Sequence, residues 1–251
     1  MVLISQQFLF SDDYQGPDWH RTVRQDLSHR LQAGSGFPCT FSQNAFRQQI
    51  IKFILIEDDS KTELMQLADG LAEYVSLSRK WDGKLSTAHP LVVAFSQAAI
   101  ESSSASDYHS FGWKMLQQVH QLDQQPWPQS VSKDPHEPFW SMCFNGMQLF
   151  VNMSSPAHKI RKSRNLGAHF LMIINPRERF DIVAGDNPAG HKVRNSIRTR
   201  LEHYDQQPHS LQLGSYQAGD IEWWQYGIVE ENCQRTDRCP FVFKGDDKTA
   251  D

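Results

Sequence analysis

The stretch FWSMCFNGMQLFVNM, Phe139–Met153, sets Asn145 and Gly146 between two apolar runs. Asn-Gly suits a two-residue turn with both residues at positive φ, so this stretch reads as a β-hairpin. A hairpin makes part of the sheet antiparallel. On either side of it, IIKFILIE (50–57), HPLVVAFS (89–96) and HFLMIINP (169–176) read as further strands. Helical spacing recurs at Trp19, Val23, Leu27 and Leu31, and again at Leu64, Leu67, Leu71 and Tyr74. It recurs in SDYHSFGWKMLQQVHQLDQQ (106–125), with Ser106 as the expected N-cap, and at Val193, Ile197 and Leu201 of a basic helix. FPCTFSQNAFRQQ (37–49) reads as a turn entering a short helix. GDIEWWQYGIVEEN (219–232) reads as a last strand before a polar tail over about residues 230–251. With no internal repeat and no second core, the expected fold is one α+β domain over residues 1–251, a mixed or antiparallel sheet packed with several helices.

The 251 residues carry a net charge of −4, which argues against nucleic acid as a partner. No apolar run approaches the ~20 residues of a membrane-spanning helix. The N-terminal segment lacks the basic flank and cleavage site of a secretory signal, so a cytoplasmic location is expected. The four cysteines, Cys39, Cys143, Cys233 and Cys239, form no CxxC pair. Reduced thiols are the expectation, with a Cys233–Cys239 bridge as the other option.

Against this mild overall charge, NMSSPAHKIRKSRNLG (152–167) gathers Lys159, Arg161, Lys162 and Arg164 around His158. Ser155 suits an N-cap, Pro156 the first helical position and Gly167 the residue past the end, so a short helix is predicted. At 3.6 residues per turn, His158, Arg161, Lys162 and Asn165 share a face with Arg164 at its flank. An imidazole beside fixed cations serves an axial iron ligand with haem propionates, and it serves a phosphate equally well.

The chain resembles the YqcI/YcgG family of bacterial proteins across a series of blocks. These are FPCTF (37–41), DYHSFGWKMLQQVHQLD (107–123), PWP (126–128), FWSMCFNG (139–146), SSPAHKIRKSRN (154–165), INPRERFD (174–181), IRTRLEHYD (197–205) and EWWQY (222–226). The loop HSLQLGSYQAG (209–219) departs from the family's pattern, which has HP before LGxYG. The resemblance implies a haem-dependent oxygenase that hydroxylates a guanidino nitrogen of guanidine, arginine or a related compound. Its cofactor is haem b, its iron ligand His158, and its propionate partners Arg161 and Arg164, with Asn165 beside them. His209 is the second choice for the ligand, and Cys39 offers a thiolate alternative. His109 and His120 lie on one helix, where they could approach the distal side.

A guanidinium is planar, cationic and rich in donors, so it calls for a carboxylate and an aromatic face. If EWWQY is a strand, Glu222 and Trp224 share a face and make such a clamp, with Trp140 as another wall. Asp220 and Asp181 are the next carboxylates in line. No GxGxxG fingerprint occurs, so dioxygen is expected to be used with electrons from a separate donor, in an assembly that admits a homodimer. The alternatives are a haem-binding or gas-sensing protein without turnover, and a phosphorylated metabolite on the basic helix with no iron.

Overall fold

The computed structural model describes residues 2–245. In chain order the elements are β1 (Ile4–Ser5), α1 (Gln6–Leu9), α2 (Asp18–Leu31), α3 (Thr40–Arg47), β2 (Lys52–Ile56), α4 (Lys61–Ser78) and β3 (Leu91–Phe95). There follow α5 (Ala105–Leu122), β4 (Met142–Phe144), β5 (Met147–Ser154), β6 (Phe170–Pro176), α6 (Glu178–Ala184) and α7 (Pro188–Asp205). The strands form one sheet in the order β1-β2-β3-β6-β5-β4. Among the described residues β2 and β3 pair in parallel, which the connection through α4 permits, and the other pairs are antiparallel. The fold is α+β, as expected.

The hairpin forms where it was predicted. Asn145 (φ 50°) and Gly146 (φ 69°) make the turn, with Phe144 opposite Met147. Side chains alternate across the sheet and so divide the molecule into two cores. Ile54, Val93, Met153, Met172 and Ile174 face α4 and α5. Phe53, Leu55, Val92, Ala94 and Leu171 face α2 and α3. Covered on both sides, β2 and β3 read as nearly continuous apolar runs. The alternation also sends Phe150, Asn152 and Ser154 of β5 toward the second face. A cavity lies there.

Two predicted elements take another form. SSPAHKIRKSRNLG is a loop with a 3₁₀ turn at Lys162–Arg164, not a helix capped by Ser155. Its backbone donors go to distant carboxylates: Lys159 and Ile160 N–H to Glu230, and Ser163 N–H to Asp205. Such charge-assisted bonds outcompete the weaker i,i+4 ladder of a short helix. EWWQ is likewise a 3₁₀ turn, Glu222–Gln225, instead of a strand, and it buries Trp223 and Tyr226. The cap of α5 falls on Ser104, two residues before Ser106.

The expected polar tail is in part core. Cys239 and Phe241 are buried, and Phe241 packs against His120, Trp127 and Trp140. Cys233 and Cys239 are unbridged. No helix among the described residues is long and apolar enough to cross a membrane.

Phe241→Ala is expected to lower the unfolding free energy by about 3 kcal/mol, measured by urea denaturation. A loss under about 0.5 kcal/mol, the range of exposed substitutions, would return this segment to the status of a loose tail.

Candidate functional site

A cavity of about 300 Å³ opens between the β5–β6 side of the second sheet face and the helices α2, α3, α6 and α7. Its walls are mostly apolar, including Leu27, Leu31, Phe150, Leu166, Ile173 and Leu201. Pockets of this size and lining commonly hold small molecules or cofactors, with a few polar groups fixing orientation.

Cys39 lies on the wall, half-buried, at the N-cap of α3. It comes from the FPC turn, which the basic helix holds in place. Arg200 donates from Nε to the Pro38 carbonyl and from Nη2 to the Phe37 carbonyl, both at 2.9 Å. The Cys39 carbonyl in turn accepts from Gln43 N–H and Ser42 Oγ.

Four guanidiniums line the same cavity: Arg164, Arg177, Arg194 and Arg198. Arg194 and Arg198 sit with Ile197 and Leu201 on the α7 face predicted to be apolar, so that face is mixed. Arg194 caps the α6 carbonyls of Ala184 and Gly185, and Arg198 bonds the Leu213 carbonyl. Arg164 differs. It is 8 % exposed, and while its backbone bonds Arg161 and Ser155, its guanidinium makes no hydrogen bond or ion pair with any described residue. Burial lowers its pKa to about 10, with Asp205 opposing, so it stays charged at neutral pH. A buried guanidinium with no anion partner marks a place for one.

At the far wall Glu222 is 2 % exposed. Its Oε1 accepts from Ser141 Oγ at 2.6 Å and Tyr226 Oη at 2.8 Å. Its Oε2 lies 2.6 Å from Arg177 Nε, although that N–H is not directed at the oxygen. Arg177 also reaches Asp181 at 3.0 Å and stacks 4.1 Å over Tyr216. Burial raises the Glu222 pKa to about 7, against the pull of Arg177 and the two hydroxyls.

The residues singled out from sequence divide cleanly. Arg164, Glu222 and Cys39 meet at the cavity, together with Asp181. His158, Arg161 and Asn165 do not line it. His158 is buried with Nε2 on the Ile228 carbonyl and Nδ1 on Ser155 Oγ, each at 3.0 Å. Because a carbonyl only accepts, Nε2 carries the proton, and neither ring lone pair is free for iron. Burial also holds His158 below its ordinary pKa. Arg161 donates to the Val229 and Pro208 carbonyls and keeps a buried Nη2 without a partner, and Asn165 donates to the carbonyls of Pro156 and His158. Trp140 is buried against Trp113, Tyr226 and Phe241, and Trp224 packs on Trp223; neither reaches the cavity. Asp220 closes a turn onto Ser215 N–H.

Of the other candidate histidines, His209 pairs with Glu202 at 2.6 Å, and His120 accepts from Lys244 N–H. His109 lines a wider cleft of about 730 Å³ beside α5, whose walls already hold the closed Arg235–Asp237 pair. Among the described residues no group of three or more His, Cys, Asp and Glu is placed to hold a metal ion. Arg177, Tyr216 and Arg198 went unassigned from the sequence. Arg177 and Asp181, four apart in INPRERFD, were the available signal.

The raised Glu222 pKa carries a sign that can be checked. Between an ordinary pKa of about 4.3 in the unfolded chain and about 7 in the fold, the folded state holds the extra proton. Glu222 therefore contributes a loss of stability as pH rises through that window. Glu222→Gln should gain on wild type from pH 5 to 7.5, as read by urea denaturation at each pH. A gain that shrinks with rising pH would mean that Arg177 outweighs burial.

The YqcI/YcgG family model matches residues 27–242. A Streptomyces lavendulae protein, "Putative N(omega)-hydroxy-L-arginine synthase DcsA", is 55 % identical over 243 residues, covering 97 % of this chain and 90 % of its own. Two Bacillus subtilis (strain 168) proteins also match. "Uncharacterized protein YcgG" is 29 % identical over 96 % of this chain and 95 % of its own, and "Uncharacterized protein YqcI" is 31 % identical over 90 % and 89 %. No solved structure gives a significant match. The chain belongs to the YqcI/YcgG family.

Proposed function

We propose that this protein is a haem-dependent oxygenase that hydroxylates a guanidino nitrogen of arginine or a related compound. The observation that carries the reading is one apolar cavity holding both the thiol of Cys39, at the N-cap position of α3, and a buried guanidinium without an ion-pair partner, Arg164. The name of the Streptomyces lavendulae relative supports the reaction and the substrate class.

The residues present fit haem. Leu27, Leu31, Leu166 and Ile173 supply an apolar bed for the macrocycle, and Arg164 and Arg198 supply charge for two propionates. Cys39 would hold the iron through its sulfur, the ligand type of haem enzymes that cleave dioxygen. We therefore assign the ligand to Cys39 in preference to His158, whose nitrogens are both taken. When bound, haem supplies dioxygen activation and oxygen insertion into an N–H bond. In sum, dioxygen, two electrons from a separate donor and two protons convert the guanidino group to its N-hydroxy form and water.

The chain's own share is positioning. Arg200 fixes the FPC turn and with it the thiol. The apolar walls exclude bulk water, which strengthens every charge interaction inside. Glu222 and Asp181 present negative charge to a cationic substrate.

Haem-loaded wild type, Cys39→Ser and His158→Ala separate the two ligand assignments. Cys39→Ser is expected to change the Soret position and lose most hydroxyguanidine formation from arginine. His158→Ala is expected to keep the wild-type spectrum at reduced stability. The reverse pattern would restore His158 as ligand.

A further inference from the structure

We propose that Glu222, Asp181 and Tyr216 form the seat of the substrate's guanidinium, and that Arg177 is its resident placeholder, displaced when substrate binds. This rests on the guanidino-substrate reading and deepens it. The seat is already shown to suit its cargo, because it holds a guanidinium. Arg177 Nε lies 2.6 Å from Glu222 Oε2, its Nη2 lies 3.0 Å from Asp181 Oδ1, and its plane covers the Tyr216 ring at 4.1 Å. Two carboxylates and an aromatic face are what a planar cation recognises. All four residues line the cavity.

Two features make Arg177 an occupant of the seat and not its builder. The walls are fixed without it. Glu222 Oε1 is held by Ser141 and Tyr226, while the Tyr216 hydroxyl donates to the Phe139 carbonyl and accepts from Gln148 Nε2, each at 2.7 Å. The fit of Arg177 is also poor. Tethered at the start of α6, it turns its Nε edge to Glu222 with the N–H misdirected. A guanidinium arriving from the cavity can offer a carboxylate the parallel two-nitrogen edge that Arg177 does not. The charge balance agrees, with two carboxylates facing one cation and the Asp181 side chain still 31 % exposed.

The test is calorimetric titration of the full chain with L-arginine, guanidinium chloride and L-lysine, for wild type and Arg177→Met. If Arg177 fills the seat more than about nine-tenths of the time, removing it raises the competent fraction about tenfold, and affinity for both guanidino ligands with it. Lysine has the charge without the fork and is expected to gain far less. Asp181→Asn in the Arg177→Met background is expected to cancel the gain. Guanidino ligands that bind Arg177→Met no tighter than wild type would overturn the proposal while leaving the substrate class intact. So would a lysine gain equal to that of arginine. Should Arg177→Met fail to fold by circular dichroism, Arg177→Lys replaces it. It keeps the charge, is expected to show a smaller gain of the same sign, and overturns the proposal if it shows none. Binding of neither guanidino ligand by any of these proteins would sink the guanidino reading and this proposal together.

Discussion

The buried carboxylate of Glu222 ties together three segments of this structure. Through Ser141 it reaches the strand of the hairpin, through Tyr226 the buried 3₁₀ turn, and through Arg177 the end of β6 and the start of α6. Tyr226 extends the link by accepting from Met142 N–H. Removing one partner of such a buried pair leaves an uncompensated charge and costs several kcal/mol. The far wall of the cavity is therefore rigid on its hydroxyl side. Its cationic side is held by contacts that are short but imperfectly aligned.

The cavity itself follows from unequal cover on the sheet. Helices α4 and α5 close the first face across β2, β3, β6 and β5, whereas on the second face α2 and α3 pack against β2, β3 and part of β6 and leave a cavity toward β5. Over β5 and β6 the chain instead places α6 and α7, which bring arginines as well as apolar side chains. A void walled by leucine and phenylalanine but dotted with guanidiniums is unstable as an empty core. It is coherent as a site for a ligand that is apolar in its body and anionic at its edge. The thiol is kept at the other end by bonds from Arg200, so one basic helix serves both ends of the cavity.

Local signals were readable wherever short-range chemistry decides. Asn145-Gly146 fixes its turn by φ alone, and the spacing of Leu64, Leu67, Leu71 and Tyr74 survives as α4. The basic stretch misled because its caps are local while its partners are not. Glu230 lies seventy residues from Ile160, and Asp205 forty-two from Ser163. Two carboxylates that distance along the chain carry no periodicity, yet they outweigh Ser155 and Pro156 as helix signals. Glu222 was singled out for its charge in an aromatic setting on an expected strand with Trp224, whereas the 3₁₀ turn sets it against Ser141, Tyr226 and Arg177. Cys39 was visible in FPCTF as one thiol among four, and only the fold distinguishes it by its place on the cavity wall.

Under the proposed function, this cavity would use dioxygen to place one oxygen atom on a guanidino nitrogen. The most direct measurement supplies the haem-loaded protein with arginine, a reductant and isotopically labelled dioxygen, and follows the product by mass spectrometry. The account predicts hydroxyguanidine with one labelled oxygen on the guanidino nitrogen, dependent on both reductant and dioxygen. Arginine recovered unchanged, or product whose oxygen comes from water, would contradict it.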